Sequence, residues 1–330
     1  MNKIRVFTAF SGYDSQCLAL DRLKEQYPQF DYELVGWSEI DKYAIQAHNA
    51  LYPQWADRNY GDISKIDWSQ VPDFDLFTYS SPCQDFSNAG LQRGGEEGSG
   101  TRSSLLWECR RAIIAKRPKY LLLENVKALV SKKFMPLFNK WQDELAGYGY
   151  ANFWQVLNAK NYGVPQNRER VFLVSILREE GQPAPQCFFP KPFELTKRLK
   201  DVLEPKVDEK YYLSDKMVQG FMAHNENHNA KGTGFTWKPK DVAENGGGYA
   251  NCIRANAALA PTDNTIQMEP LNPDGECSRT IKAQYHQTSR ANFTRQDGFG
   301  ATGVIERNVD GNIRTIPQQG QERQSGETQP

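Results

Sequence analysis

Through the first half of the chain, short aliphatic or β-branched runs alternate with longer stretches whose apolar residues recur at helical spacing. The runs IRVFTAF (4–10), YELVGW (32–37), DLFTYS (75–80), KYLLLE (119–124), FWQVLN (153–158) and RVFLVSI (170–176) predict strands. Ser15–Gln26, Lys42–Leu51, Leu105–Lys116 and Phe134–Ala146 predict helices between them. Strands alternating with helices give an α/β fold, a mostly parallel sheet with helices on both faces. In such sheets ligands sit at the carboxyl ends of the strands, so chemically informative residues should follow strands directly.

After about Arg178 the pattern changes. Prolines cluster in QPAPQCFFPKPF, glycines recur in KGTGF and NGGGY, and long periodic helices disappear. The expected organisation is a catalytic α/β domain at 1–177, a smaller irregular module at 178–305, and a polar tail at 306–330, disordered or truncated. No internal repeat is evident.

Composition narrows the function classes. Forty basic and forty acidic residues leave no global basic field, so any nucleic-acid contact must come from a local basic face. Six cysteines without a C-x-x-C pair read as free thiols in a reducing compartment rather than a disulfide framework or zinc site; no metal is expected. The N-terminus runs straight into a strand, and no apolar run approaches the roughly 18 residues that span a bilayer. The expectation is a soluble, cytoplasmic protein with no membrane partner.

The chemistry-bearing segments do follow strands. Phe10-Ser11-Gly12-Tyr13-Asp14-Ser15 lets the backbone approach a ligand at a helix N-terminus, though a plain strand-to-helix turn would look similar. At Gly36-Trp37-Ser38-Glu39-Ile40-Asp41 a carboxylate can accept from both ribose hydroxyls of an adenosine cofactor, while Asp41 would serve equally as a helix cap. Gly61-Asp62-Ile63 offers a carboxylate to an adenine amino group and an aliphatic face to its ring, or is simply a turn.

DLFTYSSPCQDFSNAG places Cys83 just past a strand and before a Gly-, Ser- and Arg-rich loop, 90–104, suited to a mobile lid over a nucleophilic thiol. A buried structural thiol is the better reading of Cys17, Cys109, Cys187 and Cys252. In KYLLLENV, Glu124 ends an apolar run where an unpaired carboxylate is expensive, so it needs a purpose such as binding a ring nitrogen, or else caps a helix. In NYGVPQNRERVFLV, Gln166, Arg168 and Arg170 alternate into a strand, and period two points them to one face. Guanidiniums there suit a carbonyl oxygen, a phosphate or a nearby glutamate.

These segments resemble the cytosine-5 DNA methyltransferases. The ordered motifs of that family match FSGYDS, SEID, GDIS, SSPCQDFS, TRSSLLWE, ENV and QNRER over about residues 4–176. The resemblance implies the Rossmann-like fold of methyltransferases dependent on S-adenosyl-L-methionine (AdoMet). It implies Cys83 as the nucleophile at C6 of a flipped cytosine, Glu124 on N3 and the amino group, and Arg170 with Arg168 and Gln166 on the base carbonyl and catalytic loop. Phe10, Ser11, Gly12, Glu39, Ile40, Asp62, Ile63, Pro82 and Leu105 fall at cofactor-pocket positions, and Gln84 and Ser87 at substrate positions. The second module then supplies target recognition: SRTIKAQYHQTSRANFTRQDGFGATG interleaves Arg279, Lys282, Arg290 and Arg295 with Tyr285, His286 and Phe293, suited to double-stranded DNA.

Two departures stand out. Asp14 and Ser15 occupy places where the family carries more glycine. The family's closing arginine-leucine-threonine-proline-glutamate and glycine-asparagine-serine motifs find no match: NIRTIPQQGQERQ begins like the first, and Gly311-Asn312 has the wrong context for the second. The chain then reads as truncated or frameshifted, or as part of a split enzyme completed by a second chain. An inactive DNA-binding subunit and a tRNA cytosine-5 methyltransferase also accommodate the motifs. An NAD-dependent oxidoreductase accounts for the first two, but it leaves Pro82-Cys83-Gln84, Glu124 and the arginines without a role. A cognate restriction endonuclease is a further expected partner.

Overall fold

Six strands of the first half assemble into one sheet, in the order β2-β1-β3-β4-β7-β5. The elements are β1 (Ile4–Ala9), α1 (Ser15–Gln26), β2 (Tyr32–Ser38), α2 (Lys42–Leu51), β3 (Leu76–Tyr79), α3 (Cys109–Lys116), β4 (Tyr120–Val126), α4 (Met135–Gly147), β5 (Tyr150–Asn158), β6 (Gln166–Asn167) and β7 (Glu169–Leu177). The computed structural model describes residues 3–82, 102–204, 213, 215–232, 237–238, 240–241, 248–251, 265–267, 280–282, 306–307 and 313–314. By their contacts these fall into two units, 1–158 with 169–191, and 159–168 with 192–330.

In the first unit β2, β1, β3 and β4 run parallel, whereas β7 runs antiparallel to both β4 and β5. Chain order reverses between β1 and β3, which makes that edge a topological switch point. The runs are apolar at both parities because both faces are covered. Val6, Leu34 and Trp37 pack with Cys17 and Leu20 of α1 and with Tyr52. Phe7, Phe77, Tyr79, Leu121, Leu123, Val171 and Leu173 pack with α3 and α4. Helix α4 buries Leu137, Phe138, Trp141 and Leu145, one stripe at helical spacing. Each such side chain contributes on the order of 1.5–3 kcal/mol when withdrawn from water, so packing rather than helix propensity holds α4.

Boundaries differ from the periodicity in a few places. The stretch 105–116 begins as a 3-10 helix at Arg102–Glu108 and becomes α-helical only from Cys109. Strand β5 starts at Tyr150, whose buried hydroxyl donates to the Pro118 carbonyl at 2.8 Å.

The second unit holds a helix the sequence pattern did not suggest, α5 (Asp215–Lys231). Its sequence is mostly polar, and among the described residues Met217 and Phe221 pack on the small core of Leu213 and Trp237. Trp237 stacks on Phe221 with centroids 5.3 Å apart and donates from Nε1 to Thr265 Oγ1 at 2.8 Å. Short strands complete this unit. β8 (Lys240–Asp241), β10 (Thr265–Gln267) and β11 (Thr280–Lys282) form one sheet, and β6 pairs with β9 (Ala250–Asn251). In the stretch read as a bare polar tail, β12 (Glu306–Arg307) pairs antiparallel with β13 (Ile313–Arg314). The expected boundary at 177/178 also gives way to a division in which 159–168 sits with the second unit. There the Asn161 carbonyl accepts from Phe193 N and the Pro165 carbonyl from Ala250 N.

Candidate active site

Four strand ends meet along the carboxyl edge of the sheet in the first unit. β7 joins them because it runs antiparallel, which brings its first residues beside the last residues of β4.

The loop after β1 has an unusual backbone: Phe10, Gly12 and Asp14 all lie at positive φ, 55°, 61° and 66°. Glycine adopts this region freely, but other residues do so only where surroundings fix them. The fixing bonds come from β2 and the loop after it. Ser11 N donates to Ser38 O at 3.2 Å, and Gly12 N donates to Glu39 Oε2 at 2.9 Å. The other carboxylate oxygen of Glu39 accepts from Ile40 N and Asp41 N, both at 2.8 Å. Asn59 braces the backbone here, accepting from Glu39 N and Gly61 N and donating to Glu39 O. Nothing local in the sequence marks Asn59; the parallel bridge between Trp37 and Asn59 brings it alongside.

Around this loop the surface suits a bound molecule. A Cβ on Gly12 would meet nothing within 4 Å, Ser11 Oγ is buried without a hydrogen-bond partner among the described residues, and Ile40 is 63% exposed. Asp41 serves as a helix cap, accepting from Tyr43 N and Ala44 N at the start of α2.

Asp62 caps a short 3-10 turn, accepting from Ser64 Oγ and N at 2.8 and 3.0 Å, and these bonds hold its carboxyl below the usual range. Ile63 departs from expectation. Instead of presenting an aliphatic face to a ring, it is 3% exposed and packs in the main core. Its side chain points inward because a turn residue beside a sheet of aromatic side chains gains more from burial than from exposure.

On β3 and β4, register does the positioning. Tyr79 pairs with Leu123, so two residues further Ser81 lies beside Asn125. The buried Asn125 amide donates to Ser81 O at 3.1 Å and approaches Ser81 Oγ at 3.3 Å, fastening Ser81-Pro82 just before position 83. Cys83, Gln84 and Ser87, with the glycine-rich loop as far as residue 101, lie outside the described residues. Leu105 is half-buried, next to the fully packed Leu106 and Trp107.

Glu124 pairs across the strands with Phe172, and Val126 with Arg170, which makes Glu124 and Arg170 diagonal neighbours on one face. Arg170 Nε lies 3.1 Å from Glu124 Oε1, with the side chains 17% and 25% exposed. The alternation expected across 166–170 does not continue. Gln166 belongs to β6 of the second unit, and Arg168 N donates back to Gln166 O at 3.0 Å, a tight turn between β6 and β7. Period two therefore cannot align Gln166 and Arg168 with Arg170. Lys282 falls in β11, and Arg279 and Arg290 lie outside the described residues.

Three other thiols are described, and Cys252 lies outside the described residues. Cys17 and Cys109 are fully buried and burial pushes both thiols far up; Cys187 is partly buried and shifted in the same direction. Among the described residues no group of three or more His, Cys, Asp or Glu could hold a metal, and no helix is long and apolar enough to cross a membrane.

The C-5 cytosine-specific DNA methylase model matches residues 4–322. Type II methyltransferase M2.ScrFI of Lactococcus lactis subsp. cremoris is 40% identical over 266 residues, covering 65% of this chain and 71% of the relative. Orphan methyltransferase M.SPRI of Bacillus phage SPR is 31% identical over 360 residues, covering 99% and 79%. Among solved structures, Entamoeba histolytica methyltransferase EhMeth superposes with a TM-score of 0.60 at 14% identity, covering 91% of this chain and 83% of that one. S. pombe Dnmt2 methyltransferase gives 0.57 at 18%, covering 81% and 77%. The strand order and these matches agree: the chain is an α/β methyltransferase that belongs to the C-5 cytosine-specific DNA methylase family.

Proposed function

We propose that this chain methylates C5 of cytosine in double-stranded DNA with AdoMet as donor, through Cys83, Glu124 and Arg170. The observation that carries the reading is the pairing of Glu124 with Arg170 at 3.1 Å on the strand edge where Asn125 fastens the approach to Cys83.

The residues of the first two loops fit AdoMet. Glu39, held by three backbone amides, offers carboxylate oxygens to a ribose diol; Ile40 offers an apolar face to an adenine; Ser11 Oγ has a hydrogen bond to give; and the open side of Gly12 admits close approach. Phe10, Pro82 and Leu105 complete the pocket in this proposal, and Asp62 lends Oδ2 to the adenine amino group. AdoMet supplies an electrophilic methyl group for C5.

Everything else belongs to the protein. The Cys83 thiolate adds to C6 of an extruded cytosine, which makes C5 nucleophilic. Glu124 accepts from the 4-amino group and shares a proton with N3, and so stabilises the negative charge that develops on the ring as the adduct forms. Arg170 keeps that carboxylate in one orientation and is available to the base carbonyl. The C5 proton then passes to solvent water as the C6–S bond breaks, which restores the Cys83 thiolate. Gln84, Ser87, Gln166 and Arg168 support the base and its backbone, and Arg279, Lys282 and Arg290 contact DNA. The relatives' names divide between Type II and orphan methyltransferases, so a cognate endonuclease is no part of the proposal.

The test uses the purified chain alone, a random-sequence pool of 5-fluorocytosine duplexes and AdoMet. Wild-type protein forms a denaturant-stable adduct and Cys83→Ser does not. An adduct that survives Cys83→Ser, or that forms on tRNA and not on the duplex pool, overturns it.

A further inference from the structure

The base of the first loop contains a polar cluster the proposed chemistry does not use. Thr8, Asp14 and His48 are all 0% exposed. Withdrawing a carboxylate from water is costly unless it is paired and hydrogen-bonded. A helix cap alone does not require it, since Asp41 caps α2 from a far more exposed site.

Asp14 is also an atypical cap. Caps usually sit in the β region, but Asp14 has φ 66° and ψ 61°, the left-handed region where glycine costs least. What the carboxylate adds is anchorage to β1 and α1, close against α2. It accepts from Thr8 Oγ1 of β1 at 2.7 Å and from Cys17 N of α1 at 3.2 Å, and lies 3.6 Å from His48 Nε2 of α2. His48 is itself fixed, stacked on Trp37 of β2 with centroids 3.7 Å apart and rings 19° from parallel. Asp14 N closes the turn by donating to Ser11 O at 2.8 Å. The turn is thus held at Gly12 by Glu39 and at Asp14 by Thr8 and Cys17.

We propose that Asp14 is a positioning residue for AdoMet: its anchored carboxylate holds the left-handed turn that presents Ser11 and Gly12, and glycine, which suits the backbone, cannot replace it. The inference rests on the AdoMet reading of this loop. Without the anchors the turn samples other conformations, and apparent affinity falls by the fraction that remains competent.

The experiment is calorimetric titration of the full chain, without DNA, with S-adenosylhomocysteine, for wild type, Asp14→Gly, Asp14→Asn and Thr8→Val, each checked by circular dichroism. Asp14→Gly raises Kd about ten-fold. Its KM for AdoMet rises in parallel while kcat at saturating AdoMet stays within about two-fold, because the reacting residues are untouched. Asp14→Asn, which tolerates the left-handed region and whose Oδ1 still accepts from Cys17 N while Nδ2 can donate to Thr8 Oγ1, recovers Kd to within about three-fold of wild type. Should Asp14→Gly fail to fold, the near-isosteric Thr8→Val decides, with an expected rise of about three-fold or more. Wild-type affinity in Asp14→Gly, or in Thr8→Val when it decides, overturns the proposal alone. Absence of binding by wild type overturns the cofactor reading and the proposal with it.

Discussion

Replacing Arg170 by Met removes the guanidinium while keeping most of the side chain's length. At the 3.1 Å separation from Glu124, the Coulomb attraction is about 5 kcal/mol at an effective dielectric near 20. Desolvation of two mostly buried charges offsets much of it, and residual exposure of 17% and 25% lets water replace part of the rest. The expected loss of stability is about 1–2 kcal/mol, near the lower end for hydrogen bonds between charged groups. The loss of rate should be larger. A carboxylate freed to shift by about 1 Å costs on the order of 100-fold in a step that depends on its position. Single-turnover transfer of tritiated methyl from AdoMet into duplex DNA, measured for Arg170→Met, Glu124→Ala and the double variant, reads both the size and the coupling. If Arg170 acts largely through Glu124, the double variant is at most about ten-fold slower than Glu124→Ala. A wild-type rate in Arg170→Met, or losses that multiply fully in the double variant, refutes the reasoning.

Asn125→Ala leaves the Ser81 carbonyl and hydroxyl without their buried donor, so unfolding in urea should show a loss of about 1–3 kcal/mol and adduct formation at Cys83 should slow; unchanged values of both would remove Asn125 from the site. Gly36→Ala places a Cβ 2.7 Å from a ring carbon of Phe7 and 2.8 Å from Tyr60, an overpacking cost of about 1–3 kcal/mol. Adding Phe7→Leu should recover part of the lost denaturant midpoint, and failure to do so would place the strain elsewhere. Lys24 and Lys3 hold the Asp31 carboxyl down to about 2 against an ordinary 3.8. A carboxyl depressed in the folded state stabilises above its unfolded value, so this contribution is present above about pH 4 and is lost as pH falls toward 2. Asp31→Asn should flatten that part of the pH–stability curve, and an unchanged slope between pH 4 and 2 would count against the pairing.

The sequence by itself determined the elements of the first unit and the order of the chemistry along them. Strands such as Ile4–Ala9 and helices such as Ser15–Gln26 are legible because their apolar spacing is a local property, and Glu39 and Glu124 are legible because each ends such a run. Only tertiary structure decided what depends on register and strand direction. The reversal of β7 brings Arg170 diagonal to Glu124, whereas the turn at Arg168 breaks an alternation that looked continuous in sequence. Parallel pairing of β3 with β4 sets Asn125 against Ser81, and packing turns Ile63 inward. The Thr8–Asp14–His48 cluster and helix α5 lay beyond local reading because their partners lie outside the element itself: the cluster draws on β1, the loop after it and α2, and Met217 and Phe221 of a mostly polar helix pack against Leu213 and Trp237 on either side of it. Periodicity fixes which face of an element avoids water, but which partner meets that face is set by long-range contacts that no local window contains.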